Sequence, residues 1–156
     1  MLMFLITEKK RGRKALFFCE RTLVMANYYS TCRTNYFRVK DMKKFESFLS
    51  ECCFEDFELC KEKNGTVCIL CSNSWPSCRK PDYEDMDFFE EIKAYLKAGE
   101  VAVFMEVGSE KHRYLQGVAL AVIADKPVIS VSIDDIYSKA SKEFGVKVNR
   151  ISEAIY

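Results

Sequence analysis

Cysteine is the residue type with the most chemistry in this chain, and there are eight, at positions 19, 32, 52, 53, 60, 68, 71 and 78. Two kinds of chemistry are open to them. Cys60, Cys68, Cys71 and Cys78 could hold zinc, since Cys68-Ile-Leu-Cys71 has the spacing of a ligand pair. Structural zinc pairs usually sit on tight turns, however, whereas Ile69-Leu70 lies inside the strand-like run Thr66–Ser72, where alternation sends Cys68 and Cys71 to opposite faces. The favoured reading is buried, reduced thiols acting as small apolar side chains, with no metal and no cofactor. The single histidine, His112, falls in the turn-like segment Ser109–Arg113, and a general base there would need a nucleophile or substrate beside it. Neither a phosphate-binding loop, a dinucleotide fingerprint nor a nucleophile elbow occurs, so a non-enzymatic protein is expected.

The second concentration of chemistry is carboxylate. Pro81–Glu91 holds six acidic residues in eleven positions, with Tyr83 among them and Trp75 just upstream. The plain reading is a helix start with a solvated face. The functional reading is a negative surface of Asp82, Tyr83, Glu84, Asp85 and Asp87, with Trp75 exposed nearby, that docks on a basic groove normally filled by nucleic acid. The spacing is not that of a calcium loop.

Composition bounds the rest. At 156 residues, 49% apolar and 30% charged, the chain has the make-up of a globular protein. The apolar run Tyr114–Ala124 is too short to span a bilayer, so no membrane segment is expected. Residues 1–24 carry six basic and two acidic residues, which leaves 25–156 at −3 within a total of +1. In that leader the apolar patch precedes the basic cluster, the reverse of a secretory signal. It is read as a non-native or disordered segment ahead of a true start at Met25, with Glu20-Arg21 encodable by a ribosome-binding sequence. A cytoplasmic, reducing location follows, where a disulfide framework does not persist.

The positioning elements follow from period and punctuation. A strand is predicted over Asn35–Lys40, then a helix capped by Asp41 with Met42, Phe45, Phe48, Leu49 and Cys52 on one face. Asn64-Gly65 marks a hairpin leading into Val67–Cys71. Ser72–Lys80 reads as an exposed loop. A second helix is predicted over Asp85–Lys97, with Phe88, Phe89, Ile92, Tyr95 and Leu96 inward and Gly99 as its stop. Strands over Val101–Val107, Tyr114–Ala124 and Val128–Ser132 follow, with Gly108–Arg113 as a tight connection. Ser132 and Asp135 form a capping box for a third helix carrying Ile133, Ile136, Tyr137, Ala140 and Phe144 on one face, stopped at Gly145. The expectation is one α+β domain over 25–156, a mainly antiparallel sheet with helices on one face, ferredoxin-like.

Ser30-Thr-Cys-Arg-Thr-Asn-Tyr-Phe-Arg-Val-Lys-Asp41, with Gly108-Ser-Glu-Lys-His-Arg-Tyr114 before an apolar strand, resembles a group of small uncharacterised proteins carried by mobile elements of Gram-positive bacteria. Arg33, Thr34, Asn35, Tyr36, Glu110, Lys111 and Arg113 match its motif positions. The chain departs from the group at Cys71–Pro76 and in its C-terminal region. The resemblance implies an accessory protein of the anti-CRISPR kind, a protein-binding inhibitor of a host defence nuclease such as an RNA-guided one. The competing reading is an RNA-binding regulator using Arg33, Tyr36 and Arg38 on the sheet. The negative charge of residues 25–156 weighs against phosphate binding.

Overall fold

The chain builds an α+β fold around a mostly antiparallel sheet, as a computed structural model describes for residues 28–110 and 114–154. The leader, the Met25 start, Lys111, His112 and Arg113 lie outside the described residues. The elements are β1 (Tyr29–Thr34), β2 (Phe37–Arg38), α1 (Met42–Glu51), β3 (Phe57–Lys61), β4 (Thr66–Ser72), β5 (Cys78–Arg79), β6 (Glu84–Asp85), α2 (Phe88–Glu91), β7 (Ala102–Glu110), β8 (Tyr114–Val122), β9 (Ile129–Ser132) and α3 (Asp135–Phe144). In the main sheet β4 pairs with β3 on one edge and with β1 and β2 on the other, and β7, β8 and β9 follow beyond β1. The strands of both sheets pair antiparallel. Among the described residues no helix is long and apolar enough to cross a membrane.

The strand predicted over Asn35–Lys40 reduces to β2, Phe37–Arg38, and is preceded by β1, which the sequence reading missed. In β1 the inward positions are Ser30, Cys32 and Thr34, small residues that hide the alternation from a hydrophobicity scan. Asn35 and Tyr36 interrupt the strand, and Asn35 secures the break: its Nδ2 donates to the Val101 carbonyl (3.0 Å), and its Oδ1 accepts from Val103 N–H (2.8 Å).

Helix α1 forms as predicted, with Asp41 Oδ1 accepting from Lys44 N–H at 3.1 Å and Phe45, Phe48 and Leu49 buried. The Asn64-Gly65 turn also holds. Gly65 sits at φ 82, where a side chain would be strained, and Asn64 Oδ1 accepts from Thr66 N–H.

Three predictions are corrected. Helix 85–97 shrinks to α2 and a 3-10 turn over Ile92–Ala94, because Glu84 and Asp85 pair with Arg79 and Cys78 in a small hairpin and Asp87 caps the helix, accepting from Phe89 and Glu90 N–H. Segment 72–80 is no exposed loop: Trp75 and Pro76 are buried. The Trp75 ring stacks on Phe88 at 6.0 Å and meets Phe104 edge-on at 5.0 Å. Strand β7 continues through Glu110 instead of turning at Gly108.

Phe88 is the hub of the core, within 6 Å of Phe48, Phe54, Phe89, Trp75 and Phe104. Burying rings of this size supplies most of the folding drive, and edge-to-face pairs add to it. Helix α3 contributes no buried residue; Ile136 and Phe144 are exposed, contrary to the inward face predicted. Its cap is half of the box: Asp135 Oδ2 accepts from Ser132 N–H, while Ser132 Oγ accepts from Asp134 N–H.

Candidate functional site

The residues singled out from the sequence fall on two parts of the molecule. On the helix-covered side, antiparallel bridging ties β5 to the end of α1. Cys52 lies opposite Arg79, Lys80 N–H donates to the Glu51 carbonyl (2.7 Å) and Cys53 N–H to the Cys78 carbonyl (3.0 Å). The β5–β6 hairpin is therefore held firmly, and its tip carries Asp82, Tyr83, Glu84 and Asp85, all exposed. Tyr83 adopts φ 55 and is 70% exposed. A left-handed tyrosine costs backbone energy, and here it points an aromatic ring outward beside three carboxylates.

The rest of the acidic run is occupied structurally. Asp87 is the α2 cap, Glu90 pairs with Lys93 at 2.7 Å, and Glu91 pairs with Arg79, whose guanidinium also lies 6.0 Å over the Phe48 ring. Among the described residues no cation pairs with Asp82, Glu84 or Asp85. Trp75 is not part of this surface; at 7% exposed it belongs to the core.

Arg33 and Tyr36 lie on the other side, on the sheet face that α1 and α2 leave open. Arg33 stands opposite Leu70 on β4 and Met105 on β7, and that face continues through exposed Tyr29, Val107, Ile129 and Val131. Contiguous apolar exposure of this kind marks contact surfaces more often than scattered apolar residues do. Arg38 is not available there: its guanidinium is paired with Glu100 at 3.1 Å. Asn35 is engaged by the backbone of Val101 and Val103, which gives its side chain a structural role. Glu110 lines a groove of about 390 Å³ with Tyr28, Tyr114 and Asp134. The Tyr28 hydroxyl, held above its usual range by burial and by the Glu106 carboxylate, stays protonated there.

The four cysteines weighed for zinc are dispersed into separate pairs: Cys60 faces Cys68, Cys71 faces Cys32, and Cys78 adjoins Cys53. No group of three or more metal-binding side chains occurs among the described residues. The Cys52 thiol donates to the Phe48 carbonyl and is pushed up to about 11 by burial, which leaves it protonated and unreactive near neutral pH.

What the sequence reading missed is the division itself. Acidic tip and Arg33 face are separated by the sheet and its aromatic core. Only the pairing of Cys78–Arg79 with Glu84–Asp85 reveals that the carboxylates sit on a hairpin and not on a helix. Compared with known protein families, curated proteins and solved structures, the chain matches none.

Proposed function

We propose that the protein is a non-enzymatic, protein-binding inhibitor of the kind that mobile elements direct at host defence nucleases, RNA-guided ones included, and that the β5–β6 hairpin is its docking element. The observation that carries this reading is the tip Asp82-Tyr83-Glu84-Asp85: three carboxylates without a cationic partner among the described residues and one exposed aromatic residue, on a hairpin anchored to α1. Such a tip competes with a phosphate backbone for a basic groove, and its charge accelerates encounter in a salt-dependent way. An inhibitor of this type acts in the cytoplasm.

The strand order β3-β4-β1-β7, with α1 following β1 and α2 preceding β7, supports a ferredoxin-like unit widened by β8 and β9. A second reading, RNA binding on the open sheet face, draws on Arg33 and Tyr36. It is weaker because Arg38 is engaged with Glu100, which leaves Arg33 with Tyr29 and Tyr36 among aliphatic Val107, Ile129 and Val131, whereas single-stranded RNA is held by stacked aromatics and several cations.

The test is target cleavage by RNA-guided nucleases of Gram-positive hosts, with and without the purified full chain. Inhibition is expected, and the triple variant Asp82→Lys, Glu84→Lys, Asp85→Lys should weaken it at least about tenfold while melting normally, the scale of interface charge losses. A chain that binds none of these complexes and slows none of them refutes the proposal. Binding that survives the triple variant but is lost on Arg33→Glu transfers the role to the sheet face.

A further inference from the structure

Six of the seven described cysteines stand in three neighbouring pairs, two of them in direct antiparallel register and the third beside an antiparallel bridge. Cys32 of β1 is opposite Cys71 of β4, and Cys60 of β3 is opposite Cys68 of β4. The bridge between Cys52 and Arg79 is antiparallel, so the next position places Cys53 opposite Cys78, and the Cys53 N–H bond to the Cys78 carbonyl (3.0 Å) fixes them there. Directly opposed residues share a face and have Cα atoms roughly 4.5–5.5 Å apart, inside the roughly 4.4–6.8 Å window of a disulfide. The thiols sense one another: Cys71 and Cys78 are raised above the usual thiol range chiefly by their neighbours Cys32 and Cys53. The seventh, Cys52, points elsewhere and bonds to the Phe48 carbonyl.

We propose that these six thiols are oxidation sites that close into three disulfides, Cys32–Cys71, Cys53–Cys78 and Cys60–Cys68, on exposure to a disulfide oxidant such as oxidised glutathione, leaving Cys52 free. In each pair one thiolate attacks the oxidant disulfide, forming a mixed disulfide and releasing one oxidant thiolate. The facing cysteine then attacks the protein sulfur and releases the second. Two electrons pass from each pair to the oxidant, and the two protons lost by the protein thiols end on the two released thiolates. In a reducing compartment the pairs remain thiols. Access orders the reactions. Cys53, Cys60 and Cys78 are partly exposed, whereas Cys32, Cys68 and Cys71 are buried, so Cys53–Cys78 and Cys60–Cys68, each with a thiol that the oxidant can reach, close in the folded protein, and Cys32–Cys71 waits for opening of the sheet. The Cys53–Cys78 bridge would fasten the acidic hairpin to α1, and Cys32–Cys71 would lock the central strand.

The experiment incubates the full chain in oxidised and reduced glutathione mixtures, alkylates the remaining thiols, and reads intact mass, non-reducing peptide maps and melting temperature. Three bridges in the stated pairs are expected in the eight-cysteine chain, with Cys52 and Cys19, which lies outside the described residues, left for alkylation and Tm lowered by dithiothreitol. Cys52→Ala should keep all three bridges, which separates Cys52 from its neighbour Cys53 in the map. Cys78→Ser, at a partly exposed position, should expose one more alkylatable thiol, Cys53, and leave the other two bridges intact. Persistence of the six as free thiols in oxidised, unfolded-then-refolded protein overturns the proposal. So does any other pairing, such as Cys68 with Cys71.

Discussion

Trp75 shows how much one side chain can decide. It lies in the polar run Ser72–Ser77, yet its ring is wedged between Phe88, Phe89 and Phe104, and it closes the core at the end of β4. Trp75→Ala should cost about 3–5 kcal/mol, the loss for truncating a large buried aromatic, and urea denaturation followed by circular dichroism will measure it. Cys52 makes a different prediction. Its folded-state pKa of about 11 lies above the unfolded value of 9.0, so folding favours the thiol. That contribution is complete below pH 9 and is lost as pH rises through 11, by at most about 2.7 kcal/mol, at about 1.36 kcal/mol per pH unit. The urea midpoint should be flat to pH 8 and then decline, and Cys52→Ala should lower the plateau while flattening the decline. An unchanged decline in the variant would assign it to other groups. The two differ in legibility: Trp75 is masked by its polar neighbours, whereas Cys52 shares the helical spacing of Phe45, Phe48 and Leu49 and is buried as that spacing predicts.

At the level of elements, legibility tracked local chemistry. Helix α1 could be read because Asp41 caps it and Phe45, Phe48 and Leu49 follow at helical spacing, all within the segment. The β3–β4 hairpin could be read because Asn64-Gly65 fixes its own turn. What could not be read was set by distant partners. The start of the second helix was lost to pairing with Cys78 and Arg79, and β1 was hidden because a central strand can bury Ser30, Cys32 and Thr34 in place of aliphatic residues. The cysteine pairs are the same case, since register is invisible until strands are matched. Helix α3 was read correctly at its stop, with Gly145 at φ 67, but it begins at Asp135, two residues later than the Ser132 cap implied, and its packing was misread. Its apolar stripe faces outward, with Phe144 78% exposed. A chain ending after Asp134 should therefore melt within about 3 °C of the full chain, since removing no buried side chain costs less than about 1 kcal/mol. A cooperative loss of structure in that truncation, seen by calorimetry, would show that the sheet needs the helix.

As a whole the molecule is one-sided. Rings from α1, α2, the Trp75 segment and β7 fill one face of the sheet, while Arg33, Met105, Val107, Ile129 and Val131 line the other. The acidic hairpin belongs to the filled side and the cationic Arg33 to the open side, so the two partner classes weighed for this protein would meet different surfaces. Mutations on one should leave the other's binding unchanged, which makes the two readings separable in a single protein. The sequence pattern conveyed the α+β class and the antiparallel hairpins. It could not convey sidedness, which depends on which strands flank β1.

The position of β1 has a consequence for synthesis. It is the earliest described strand, yet it sits between β4 and β7, and its register with β7 pairs Thr34 with Phe104 and Tyr29 with Ser109. Such distant closures carry a chain-entropy cost that local hairpins avoid. The β3–β4 hairpin can assemble while the nascent chain is still growing, but the sheet cannot close on its left and right halves until β7 has cleared the ribosome. Until then β1 waits with an unpaired edge on the emerging chain, and this interval, not the finished fold, is when the protein is most open to chaperones and to misplaced pairing.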